Sequence, residues 1–105
     1  MRLREEIAEL LRMPEDGVGA PSLDAIESKL TDGYAAKLAL EAERARIERR
    51  LGEVARDGKG ARRRELARLS EQLDTTDEEL ARLRSLLPKL QGVRRRRRAA
   101  AAFPG

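Results

Sequence analysis

A chain of 105 residues with a formal net charge of +4 is long enough for one small domain, and for more only if a second chain supplies part of the core. Apolar and charged residues each make up 40% of it, the aromatics are one Tyr and one Phe, and Cys and His are both absent. This composition excludes disulfides, thiol chemistry and thiolate zinc sites, and it lacks the side chain most used for proton transfer near neutral pH. What remains is the Glu, Arg, Leu and Ala mixture of long helices and coiled coils, in which a sheet is not expected. No cofactor is implied.

The basic surplus is local. Five of the 23 basic residues form the run Arg94–Arg98, and without them 18 basic side chains face 19 acidic ones, so residues 1–93 are close to neutral. No run of about 18 apolar residues is available to span a bilayer, and MRLREEIAEL lacks the apolar centre of a signal peptide. A cytoplasmic location is the expectation.

In chain order, RLREEIAELLR (2–12) sets Leu3, Ile7, Leu10 and Leu11 at helical spacing, and Met13-Pro14 stops that helix. EDGVGAP is a loop. So short a helix is marginal alone and must pack on something. Ser22 is suited to cap the next helix, with Asp24 in its first turn and Leu23, Ile26 and Leu30 as its apolar line. TDGY (31–34) is compatible with a fresh start after Gly33 or with one continuous or slightly kinked helix, which is the preferred reading. Tyr34 reads as packing at this junction.

From Tyr34 to about Arg56 the pattern is helical but has two apolar sides. Tyr34, Leu38, Ala42 and Ala45 cluster on one, and Leu40, Ile47, Leu51 and Val54 lie roughly opposite. Such a helix has to be covered twice. DGKG (57–60) then supplies a reversal, and Leu66, Leu69, Leu73, Thr76, Leu80, Leu83, Leu87 and Leu90 follow at alternating three- and four-residue steps, a heptad stripe with Thr76 its one polar position. This third helix is expected to run from about Ala61 to Leu87 and to end or kink near Pro88.

The expected fold is all-α: an antiparallel helical hairpin of coiled-coil type, with a short N-terminal helix and a basic, disordered C-terminal tail. The divisions are 1–21 for the short helix and loop, 22–90 for the hairpin and 91–105 for the flexible tail. Candidate protein-interface residues are Leu40, Ile47, Leu51, Val54, Leu66, Leu69, Leu73, Leu80, Leu83 and Leu87. Candidate polyanion contacts are Arg62, Arg63 and Arg64 near the reversal and Arg94, Arg95, Arg96, Arg97 and Arg98 in the tail, because the guanidinium fork suits phosphate. Arg62–Arg64 crowd a helix start, where the dipole disfavours positive charge.

Asp74, Asp77, Glu78 and Glu79 read as a solvated face, since no glycine-containing calcium loop accompanies them. GKGA likewise lacks the glycine cradle and Ser or Thr of a P-loop. The function expected from these features is non-catalytic: a small helical adaptor, regulator or assembly component that binds a protein partner or forms a homodimer through its leucine-lined faces. The alternative is non-specific contact with the phosphate backbone of RNA or DNA through the arginine run.

Overall fold

The computed structural model describes residues 2–57 and 62–102, and among these the regular elements are all helical: α1 (Arg2–Arg12), α2 (Leu23–Asp57) and α3 (Arg62–Ala102). α2 and α3 pack antiparallel, which brings Arg50 to Glu65, Arg44 to Asp77 and Gly33 to Leu87. α1 folds back on both at the far end of the pair. The product is a rod of 70 × 19 × 15 Å, three helices thick at its base and two at its tip. Asp57 closes α2, and the remainder of the expected reversal, Gly58–Gly60, lies outside the described residues.

α1 has the limits its sequence predicts. Its last turn tightens, with the Met13 N–H donating to the Leu10 carbonyl at 3.2 Å, and Pro14 follows. Gly17 and Gly19 sit at φ of 76° and 89°, in the left-handed region that favours glycine. Ser22 then caps α2 as expected, its Oγ accepting the Ala25 N–H at 3.1 Å.

α2 passes through Gly33 without a break. A glycine inside a helix costs about 1 kcal/mol relative to alanine, and the neighbours show what offsets it. A Cβ at this position would lie 2.5 Å from Leu87 Cδ2 and 3.2 Å from Ile7 Cδ1, so only glycine lets α1 and α3 come this close to α2. The inner stripe of α2 is Ile26, Leu30, Gly33, Lys37, Leu40, Arg44, Ile47, Leu51 and Val54, again at alternating four- and three-residue steps.

The C-terminal segment corrects the expectation of a disordered tail. α3 crosses Pro88 and remains helical to Ala102. Proline inside a helix costs about 3 kcal/mol, whereas burying a Val or Leu side chain contributes roughly 1.5–3 kcal/mol each. Leu90 and Val93, at 0% and 7% exposure, both lie beyond the proline and in the core, and together they outweigh it.

The core has two parts. At the base, Ile7, Ile26, Leu30, Leu83, Leu87, Leu90 and Val93 are buried together, with Leu3, Leu10, Leu11, Ala36, Leu40 and Leu86 against them. Toward the tip, Ile47, Val54 and Leu69 form a smaller cluster bordered by Leu51, Leu66 and Leu73. The polar Thr76, 8% exposed, and the Arg44–Asp77 ion pair occur between them along the helices.

Candidate interaction surfaces

The sequence-predicted interface leucines are mostly engaged within the chain. Ile47, Val54, Leu69, Leu80, Leu83 and Leu87 are buried, and Leu40, Leu51, Leu66 and Leu73 are half-buried beside the two clusters. The seam of the hairpin accounts for them without a second protein.

The other apolar side of α2 has no such cover. α1 folds back on the Ile26–Leu30–Gly33 face, which leaves Tyr34, Ala35, Leu38, Ala39, Ala42 and Ala45 all exposed on the outside. Leu38 keeps 68% of its accessible surface and Tyr34 keeps 38%, so Tyr34 is not the packed junction residue its position suggested. A buried leucine contributes roughly 1.5–3 kcal/mol that Leu38 does not realise within this chain. Four alanines in this stripe would allow another helix to approach at the short end of the about 8–10 Å interaxial range.

At the base, the arginine run is an intramolecular staple. Arg96 forms a two-pronged contact with the Glu15 carboxylate, its Nε donating to Oε2 at 2.9 Å. Arg97 donates to the Pro21 carbonyl, and Arg98 reaches Glu27 at 3.1 Å. Arg94 leans on Gln91. The partner segment has complementary charge, since residues 1–32 carry eight acidic and four basic side chains. The Arg96 hydrogen bond, aided by its charge, holds the Glu15 carboxyl below the ordinary carboxylate range, and Lys29 does the same for Glu6 by its own hydrogen bond.

The tip has the opposite balance. Residues 49–68 carry eight basic and three acidic side chains. Glu53 takes Arg50 at 3.3 Å, and Glu65 takes Arg68 at 2.8 Å and Arg50 at 3.5 Å. Hydrogen bonding from Arg68, then the Arg50 charge, keeps the Glu65 carboxyl below its usual range. Arg62 donates to the Ala55 carbonyl at 3.4 Å. Arg49, Arg56, Arg63 and Arg64 are exposed and have no carboxylate partner among the described residues. Arg62, Arg63 and Arg64 open α3, where positive charge is disfavoured by about 0.3–1 kcal/mol per group. Arg50, Arg62, Arg64 and Arg68, with Asp57 and Glu65, line an open groove of about 360 Å³.

Between the two basic ends, residues 71–79 hold five acidic and no basic side chains. Among the described residues no three acidic side chains converge where a metal ion could sit, and no helix is long and apolar enough to cross a membrane. Comparison with protein-family models, curated proteins and solved structures gives no match.

Proposed function

We propose that this is a non-catalytic helical association protein whose working surface is the outer face of α2, and that a second copy of the chain is its first partner. The observation that carries this reading is the exposed stripe from Tyr34 to Ala45, with Leu38 68% exposed where the other leucines are buried or half-buried. An amphipathic helix laid in this stripe recovers the apolar burial that the hairpin leaves unmade.

The stripe is suited to pairing with itself. Antiparallel pairing about a point between Leu38 and Ala42 sets Ala35 against the partner's Ala45 and Leu38 against the partner's Ala42. The same register sets Tyr34 opposite the partner's Arg46, an aromatic ring beside a guanidinium, and two-fold symmetry makes that contact twice. Small side chains give the close approach, and the Tyr34–Arg46 pairs flank it on both sides.

Analytical ultracentrifugation of the full chain over a wide concentration range tests the proposal against Leu38→Glu. The expected result is a wild-type dimer and a monomeric variant of unchanged helix content, because Leu38 makes little contact within the chain. A wild type that stays monomeric at the highest concentration removes the second copy as the occupant. Self-association that survives Leu38→Glu moves the working surface elsewhere.

A further inference from the structure

The two basic ends of the rod differ in how their arginines are engaged. At the base, Arg96, Arg97 and Arg98 already have acceptors in the acidic N-terminal segment. At the tip, three carboxylates face eight basic side chains, and four exposed guanidinium groups have no carboxylate to bind among the described residues. We propose that the tip, through Arg62, Arg63 and Arg64 and the groove that Arg62 and Arg64 line with Arg50 and Arg68, binds the phosphodiester backbone of a nucleic acid.

Four features define that ligand. The cations are nearly all arginine, whose planar fork matches two phosphate oxygens at once. The described part of the tip carries no aromatic residue, and Val54, the apolar side chain lining the groove, is 6% exposed, so nothing is offered for insertion into a lipid surface. No side chain is held to read a base edge, so the contact is independent of sequence. The acidic band at 71–79 repels phosphate along the middle of the rod, which confines the contact to its end.

A site of this size engages about four phosphates. Affinity then falls with salt at a log–log slope of about −2.8 for a single strand and about −3.6 for duplex DNA. Between 50 and 200 mM salt this is a loss of roughly fiftyfold for the strand and roughly 150-fold for the duplex.

The test is a fluorescence-anisotropy titration of labelled single-stranded RNA, single-stranded DNA and duplex DNA with the full chain, over a salt series. It is repeated with the triple variant Arg62→Gln, Arg63→Gln, Arg64→Gln and with the control variant Arg94→Gln, Arg95→Gln. The tip variant is expected to lose at least tenfold in affinity and to flatten the salt slope by about 2–3, with helix content unchanged because these side chains are exposed. The control should bind like the wild type. The three probes show which backbone is preferred. Absence of binding at 50 mM salt, equal binding by the tip variant, loss in the control instead, or stronger binding to phosphatidylglycerol vesicles than to any nucleic acid would each overturn the assignment.

Discussion

The base and the tip of the rod are built from the same residue types and reach opposite states. At the base, α1 adds a third helix, seven apolar residues are buried together, and the arginine run turns inward onto acidic partners. At the tip, two helices share three buried apolar residues, and the arginines outnumber the carboxylates within reach. What separates the ends is the short acidic N-terminal segment, which supplies both the extra apolar surface and the counter-charge. Stability is therefore concentrated at one end of the molecule and free charge at the other.

The largest effects should come from truncating each core. Leu83→Ala at the base removes a side chain that is 0% exposed and is expected to cost about 4 kcal/mol, whereas Leu69→Ala at the tip should cost about 2 kcal/mol, because the thinner arm can relax into the space. Urea denaturation of both variants checks the order. Equal losses would mean that the two cores are equally well packed and that the contrast is only one of charge.

Gly33 offers a sharper test, since it sits where the base becomes three helices thick. Gly33→Ala gains about 1 kcal/mol of helix propensity, but its methyl group enters between Leu87 and Ile7, both almost fully buried. Overpacking costs about 1–3 kcal/mol and outweighs that gain. A net loss of about 1 kcal/mol is expected, and Gly33→Val should lose more and displace α1. Thermal melts, with hydrogen exchange in residues 2–12, measure both consequences.

Acid should loosen the base before the sequence-local parts of the rod. The folded-state carboxyls of Glu15 and Glu6 titrate below the ordinary range, so each contributes stability that is present above that range and is lost as pH falls through it and below. Exchange protection in residues 94–102, taken relative to the intrinsic exchange rate at each pH, should therefore fall between neutral pH and the acid side of the carboxylate range, and Glu15→Gln should show the lower protection already at neutral pH. The Glu15–Arg96 pair is exposed and the Glu6–Lys29 pair half-buried, so high salt reduces the difference, chiefly at Glu15. Protection that does not respond to either change would show that apolar burial alone holds the end of α3.

Local signals in the chain predict local features well. The limits of α1 follow from Leu3, Ile7 and Leu10 ahead of Pro14, and the α3 stripe from its leucines. The stripe does continue past Leu90 at the same spacing, to Arg94 and Arg97, but arginine at those positions reads as solvent until its partners are known. The run's distant partners are Glu15, Pro21 and Glu27, which lie 71 to 81 residues away from the arginines they meet. The inner stripe of α2 is hidden for the same reason. Gly33 and Arg44 look like interruptions, and only the approach of Leu87 and the carboxylate of Asp77 make them seam positions.

The smallest effect concerns the boundary between the two ends. Thr76 is the polar member of the α3 stripe, 8% exposed between the base and tip clusters. Replacing it with valine keeps the branched shape and exchanges a hydroxyl for a methyl. Apolar burial of the methyl contributes about 0.8 kcal/mol, so Thr76→Val should stabilise the fold by no more than about 1 kcal/mol. Its diagnostic consequence is in cooperativity. If Thr76 insulates the clusters, exchange protection at Leu69 should rise toward that at Leu83 in the variant, because a continuous apolar seam makes the arm open with the base rather than before it. Unchanged protection at Leu69 would place the division in the Arg44–Asp77 pair, and Arg44→Leu combined with Asp77→Leu would then be the substitution that joins the two cores.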